Sequence, residues 1–229
     1  MIKHLRPDDG PRAVILANGV APPAHLYNDL LAEANLVVAA DGGANALLEA
    51  GLRLDVVVGD LDSIDPTALT RWRQSGGVVV AAARRKDETD LELGLDYCLG
   101  RKASRIAIVA ALGGRTDHML ANIFLLASLD RTVSCVIVAP DCRVQAVRGG
   151  ETLHFDARIG DLLSLLPFNA PVEGITTSGL EYPLHDEPLV LGAPRGVSNV
   201  FTATEASVSV GRGVLFAIQT WSDARPLSW

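Results

Sequence analysis

DVVVGDLDSIDPTALTRWRQSGGVVVAA, residues 55–82, decides the fold. Two β-branched apolar runs, Asp55–Val58 and Val78–Ala82, bracket a stretch of helical character, Pro66–Gln74. Strand, helix and strand in that order make a βαβ unit, and such units lay their strands parallel in one sheet. The alternation continues outward. Upstream are the runs Ala13–Ala17 and Leu36–Ala40, with helical stretches at Ala24–Ala34 and Ala44–Ala50. Downstream are the runs Arg105–Ala110 and Val133–Ala139, with helical stretches at Asp90–Leu99 and Asp117–Ser128. The runs are nearly continuous, as strands buried on both faces should be. In Asp90–Leu99, Leu91, Leu95 and Cys98 fall on one stripe at helical spacing.

The texture changes over Asp141–Gly150. Helical spacing fades beyond it, and short β-like runs follow at Thr152–Phe155, Leu162–Leu166, Val208–Val210 and Val214–Thr220, punctuated by Gly and Pro. That pattern predicts an antiparallel sandwich. The expected architecture is α/β: a Rossmann-like parallel-sheet domain over 1–145, then a β-sandwich domain over 146–229.

Composition narrows the function classes. A chain of 229 residues with 48% hydrophobic and 21% charged residues can bury a sizeable core. Its net charge of −7 repels nucleic-acid phosphates, so no nucleic-acid partner is expected. The cysteines Cys98, Cys135 and Cys142 form no CxxC, which argues for a reducing compartment. Met1–Gly10 is polar and lacks a signal-peptide core, and the apolar run Ile106–Leu112 is too short to span a bilayer. A soluble cytoplasmic protein without a membrane partner is the expectation.

The chemistry collects after the strands. DGGAN (41–45), GDLDSI (59–64), KDETD (86–90) and GGRTDH (113–118), with Asn122 one turn on, each follow one of the apolar runs. In an open parallel sheet those ends share one edge, where ligands bind near a topological switch point. Clustered carboxylates repel one another unless a cation lies among them. Hard oxygen ligands suit Mg²⁺, which takes one or two carboxylates and fills the rest with water and phosphates. Asp60 and Asp62 are two apart and, in an extended segment, face the same way. Lys86 and Arg115 suit phosphate oxygens, Arg115 as a two-pronged fork. The glycine pairs admit close backbone approach, and a helix starting near Thr116 offers its amides to an anion. Plainer readings exist: Asp41, Asp62 and Asp90 each stand at a helix start and suit an N-cap. Separate caps do not explain why four segments bring such residues to one rim. The chain lacks GxxxxGK[ST], so it is not a P-loop enzyme; it also lacks the GxGxxG dinucleotide fingerprint, and without GxSxG or HExxH, nucleophilic and zinc-hydrolase readings have little support.

These segments resemble the thiamin pyrophosphokinase (thiamine diphosphokinase) family. The likeness rests on DGGAN (41–45), GDLDSI (59–64), KDETDLELGL (86–95) and GGRTDHMLANI (113–123), and in the second half on SLLPF (164–168), TTSGLEYPL (176–184), GVSN (196–199) and GVLFAI (213–218). It covers nearly the whole chain in order. The resemblance implies a homodimer with shared active sites that moves diphosphate from the co-substrate ATP to the hydroxyl of thiamine. Carried over by position, Asp60 and Asp62 bind Mg²⁺, with Asp90 at the metal and Asp117 near it or the substrate. Asp41, Asn45, Lys86, Asp87, Thr89, Arg115, His118 and Asn122 line the nucleotide and diphosphate, and Ser198, Asn199 and Phe216 cradle thiamine. Some members carry tryptophan where this chain has Phe216. Asp90 or Asp117 would take the hydroxyl proton. Two other readings stand: a pterin diphosphokinase, argued against by SGLEYPL and GVSN, and a non-catalytic nucleotide-sensing module, argued against by the intact acidic set.

Overall fold

The computed structural model describes residues 10–83, 87–168 and 171–229. They form two compact units. The first holds the described residues up to Leu125 with Leu129–Pro140 and Arg225–Trp229; the second holds Leu126–Ser128 and Asp141–Ala224.

The first unit is built on a parallel sheet of β1 (Arg12–Leu16), β2 (Leu36–Ala40), β3 (Val56–Gly59), β4 (Val78–Ala81), β5 (Arg105–Val109) and β6 (Ser134–Ala139). Their order is β6-β5-β1-β2-β3-β4, and each neighbouring pair is parallel. The helices are α1 (Asn28–Glu33), α2 (Gly43–Glu49), α3 (Pro66–Gln74), α4 (Asp90–Gly100) and α5 (Thr116–Ser128). Both sheet faces are covered. Val14, Leu16, Val37, Ala39 and Val57 share one buried cluster with Leu30 and Leu31 of α1, Leu47 of α2 and Leu69 of α3. On the other face α4 approaches closely at Gly94, where an added Cβ would lie 3.4 Å from Ile15 Cγ2. The expected stripe of Leu91, Leu95 and Cys98 is the buried face of α4.

Two local expectations need correction. Ala24–Ala34 is not one helix: a 3₁₀ turn at Ala24–Leu26 gives way to α1 at Tyr27, whose φ of −126° breaks the helix. Tyr27 is buried in the cluster beneath, so placing its ring overrides the local helical preference. β4 is not buried on both faces either. It is the edge strand, and Val78 and Val80 are 50% and 39% exposed.

The second unit pairs two antiparallel sheets. One is ordered β12 (Asn199–Val200), β9 (Leu162–Pro167), β14 (Val214–Thr220) and β7 (Cys142–Arg148). The other is ordered β11 (Glu187–Leu189), β10 (Val172–Ser178), β13 (Glu205–Ser209) and β8 (Thr152–Asp156). Inward residues of both meet in one core: Val147, Leu163, Leu165, Leu215 and Ala217 against Phe155, Ile175, Leu189, Ala206 and Val208. This is the alternation of a sandwich. The run expected at Val208–Val210 is the end of β13, whose inward Ala206 and Val208 alternate with half-buried Ser207 and Ser209. β7, β10, β11 and β12 had no counterpart among the apolar runs. They alternate polar with apolar side chains or are very short, and β10 also contains Gly174 at φ 67° with a register shift beside it. Among the described residues no helix is long and apolar enough to cross a membrane.

Candidate active site

In the first unit the chain steps from β1 through β2 and β3 to β4, then returns to the other side of β1 for β5 and β6. The direction reverses between β1 and β5, so a crevice opens beyond their carboxyl ends. A cavity of about 520 Å³ lies there. Segments following five strands line it: Asn18 and Gly19 after β1, Asp41 after β2, Asp60, Asp62 and Ser63 after β3, Thr89 and Asp90 after β4, and Gly113, Gly114 and Arg115 after β5, with His118 and Asn122 on α5.

Asp41, Asp60 and Asp62 offer carboxylate oxygens that all lie within 4.8 Å of one another. Asp41 is 1% exposed and held at φ 45°, a left-handed conformation uncommon outside glycine. Its Oδ2 accepts from Ser63 N at 3.1 Å, while its Oδ1 is buried with no hydrogen-bond partner. Burial pushes the Asp41 carboxyl above its ordinary range. Bonds from Ser63 pull the other way, and the charge of Asp90 adds to the rise. Asp90 stands beside Asp41: a Cβ at Gly59 would lie 2.9 Å from Asp90 Oδ1 and 3.0 Å from Asp41 Cβ. The turn between is also left-handed, with Leu61 at φ 65°. Asp62 N donates to Asp60 Oδ1 at 3.2 Å, and Ser63 Oγ donates to Asp62 Oδ1 at 2.9 Å. Strained backbone around an acidic cluster with an orphaned buried oxygen is the mark of a site built for a ligand rather than for stability.

The N-cap reading of the aspartates does not hold. Gly42 stands at the N-cap of α2 without a side-chain bond. Asp65, not Asp62, caps α3 and accepts from Ala68 N at 2.7 Å. Thr89, not Asp90, caps α4, its hydroxyl accepting from Glu92 N at 3.2 Å.

Across the cavity Gly113 and Gly114 turn left-handed in succession, at φ 80° and 70°, and deliver Arg115 to the start of α5. The Arg115 fork grips Asp117, Nε to Oδ1 at 3.2 Å and one terminal nitrogen to Oδ2 at 2.6 Å. That bond holds the Asp117 carboxyl down to about 2. Both side chains are exposed, so the pair adds little stability. Asn122 donates to Ala111 O at 2.9 Å, tying α5 to the loop after β5.

Of the residues singled out from sequence, the cavity brings together Asp41, Asp60, Asp62, Thr89, Asp90, Arg115, His118 and Asn122. Asn45, Asp87 and Asp117 do not line it. Lys86 lies outside the described residues. Asn18 and Ser63 line it but were not singled out. Asn18 follows β1, which carries no glycine fingerprint to mark a binding loop, and the backbone N–H of Ser63 carries no sequence signal.

In the second unit, Ser198 is exposed at φ 58°, and its N–H donates to Ser164 Oγ at 3.1 Å. The Asn199 carboxamide is committed to the Tyr182 backbone, accepting from its N–H at 3.0 Å and donating to its carbonyl at 2.7 Å. Phe216 is buried, but outside the sandwich core that its neighbours Leu215 and Ala217 join. Its ring meets Phe168 edge to face at 5.3 Å.

Residues 27–138 match the family model described as thiamin pyrophosphokinase, catalytic domain, and residues 151–215 match thiamin pyrophosphokinase, vitamin B1 binding domain. The chain is 30% identical to the thiamine pyrophosphokinase of Bacillus subtilis over 210 residues, covering 90% of this chain and 97% of that one. It is 28% identical to thiamine pyrophosphokinase 2 of Arabidopsis thaliana, covering 85% of this chain and 81% of that one. The crystal structure of the Bacillus subtilis protein aligns with a TM-score of 0.79 at 29% identity, covering 91% of this chain and 98% of that one.

Proposed function

The chain belongs to the thiamin pyrophosphokinase family, and from that premise we propose that its first-unit cavity transfers diphosphate from ATP to the hydroxyl of thiamine, giving thiamine diphosphate and AMP. The observation that carries the site reading is the cluster of Asp41, Asp60 and Asp62, with its buried, unpartnered oxygen. Three carboxylates this close repel one another and call for a cation. The all-oxygen donor set, open to a cavity, fits Mg²⁺. In this reading Asp60 and Asp62 hold the ion with Asp41, and Asp90 stands beside them. Bound there, Mg²⁺ would neutralise the phosphate oxygens of the nucleotide.

The chain's own groups do the rest. Arg115 turns its fork toward the diphosphate, with Asp117 holding it extended until substrate arrives. Asp90 lines the cavity, whereas Asp117 does not. Asp90 is therefore the base that receives the thiamine hydroxyl proton. His118, Asn122, Thr89, Asp87 and Lys86 belong to the nucleotide region in the same reading. The sandwich unit takes thiamine, with Ser198 and Phe216 as its contacts and Asn199 beside them. Asn199 acts there by fixing the Tyr182 loop, since both ends of its amide are already used.

The deciding experiment is a coupled assay for AMP with ATP and Mg²⁺, with and without thiamine. AMP that depends on thiamine and matches thiamine diphosphate mole for mole supports the reading, whereas AMP without thiamine or none at all removes it. The Arg115–Asp117 arrangement predicts a contrast. Arg115→Ala lowers kcat/KM about 10²-fold or more, the range for losing one charge-stabilising donor. Asp117→Asn keeps kcat within about tenfold, because no bond to the reacting atoms is lost. Steady-state kinetics on the two variants checks this, and equal losses would return Asp117 to the role of base.

We also propose a homodimer in the cytoplasm. Cys98, Cys135 and Cys142 are few and widely spaced, which fits a reducing compartment. Sedimentation at twice the chain mass supports the dimer, and a monomer at working concentration counts against it.

A further inference from the structure

We propose that Asn45 is a positioning residue for the diphosphate transfer: from α2, its carboxamide fixes the turn that presents Asp60 and Asp62. This rests on the magnesium reading above. Asn45 does not line the acidic cavity. Its side chain lies behind the turn instead, on the wall of a second cavity between α2 and α3. Its Nδ2 donates to Ser63 O at 3.0 Å, and its Oδ1 accepts from Asp65 N at 2.8 Å. One planar group thus grips the chain on either side of Ile64, whose side chain is buried in the core. Ser63 is held from both directions, its carbonyl by Asn45 and its N–H by Asp41. Asp65 in turn caps α3, so the grip extends to the helix that follows the turn.

The residue type matters. The task needs a donor and an acceptor about one amide apart, which a carboxamide supplies and a carboxylate does not. Aspartate there would keep the bond from Asp65 N–H but set an acceptor against the Ser63 carbonyl. The turn needs such a restraint because Leu61 is left-handed at φ 65°, and backbone of that kind persists only where its surroundings hold it. Without the clamp the two carboxylates must be ordered when the cation binds, and that ordering appears as weaker binding.

The test uses the full chain carrying Asn45→Ala and, as the near-isosteric partner that keeps one of the two bonds, Asn45→Asp. Two readouts are taken for each: the rise in melting temperature with added MgCl₂ in the absence of nucleotide, and the MgCl₂ dependence of AMP formation. The expected result is a half-saturating Mg²⁺ concentration raised about 10- to 100-fold in both readouts, the range seen when a group supporting metal ligands is removed. High Mg²⁺ should then restore kcat to within a few-fold, with the KM for thiamine unmoved. Variants that fold and keep the wild-type Mg²⁺ midpoint overturn the proposal. So does a lower melting temperature with an unshifted midpoint, which is what a purely structural role would give. If the wild-type protein itself shows no Mg²⁺ response in either readout, the magnesium reading has failed, an outcome separate from a failed clamp.

Discussion

Asp60→Asn and Asp62→Asn are expected to lower kcat for AMP formation by roughly 10²–10³-fold while leaving the protein folded. A bound metal contributes several kcal/mol of charge stabilisation in the transition state, and each 1.36 kcal/mol is a factor of ten. Both substitutions keep the oxygen that makes the local bonds. Asn at position 60 can still accept from Asp62 N, and Asn at position 62 can still accept from Ser63 Oγ. The turn therefore survives and the charge does not. Asp41→Asn sharpens the test, because its effects on activity and stability should have opposite signs. The Asp41 carboxyl is raised by burial, with Asp90 adding to it. A group whose folded pKa is raised favours folding while protonated, and that advantage is lost as pH rises through the raised value. Above the ordinary carboxylate range the buried Asp41 thus weighs against the fold. Replacing it by a neutral amide should raise the melting temperature at pH 7 while removing activity. The gain should vanish below the ordinary carboxylate range, where Asp41 is protonated in both folded and unfolded chains. Calorimetry from pH 3 to 8 beside kinetics at pH 7 checks both halves. An Asp41→Asn variant that is active, or less stable at every pH, would show that the cluster is not a charge-strained metal cradle.

The parallel unit was legible because its information is local. Continuous β-branched runs, fixed turns and one helical stripe give the strands directly, and Pro66–Gln74 is observed as the helix α3 with the bounds expected. The polar residues after each strand were legible for the same reason, since the strand ends fix where their side chains gather. What stayed hidden depends on contacts between distant segments. Asp41 reads as the start of a helix, yet its left-handed backbone removes it from the cap and turns it toward Asp60 and Asp62, more than 15 residues on. Arg115 reads as a phosphate fork, yet the fork is occupied by a carboxylate two residues away. Half the sandwich strands were hidden because Ser, Thr, Gln and Gly interrupt their apolar alternation, and only pairing with a neighbour makes them strands.

Gly43→Ala should be among the most damaging single-methyl additions in the first unit, although it places the best helix former at the first position of α2. A Cβ there would lie 2.2 Å from Leu16 O and 2.9 Å from Ala17 O. Those atoms are backbone and cannot rotate away. Leu16 pairs with strands on both sides, and Ala17 N is bonded to Val109 O at 2.9 Å. Relief therefore requires α2 itself to retreat from β1. Overpacking of this kind costs about 1–3 kcal/mol, and a clash against fixed backbone belongs at the upper end. For a chain of this size that is a fall of roughly 6–12 °C in melting temperature. Gly100→Ala supplies the control. It is the same substitution, in α4, with nothing within 4 Å of the added carbon, so it should be neutral or stabilising by up to about 1 kcal/mol. Thermal melts of the two variants side by side test whether contact rather than helix propensity governs α2. The retreat of α2 has a second consequence, because the helix carries Asn45 and directly follows Asp41. Moving it away from β1 pulls the clamp off Ser63 and shifts the buried carboxylate together, so Gly43→Ala should lose activity well below its melting temperature. If the variant melts early yet retains full turnover at 20 °C, the placement of α2 matters to the fold but not to the acidic site.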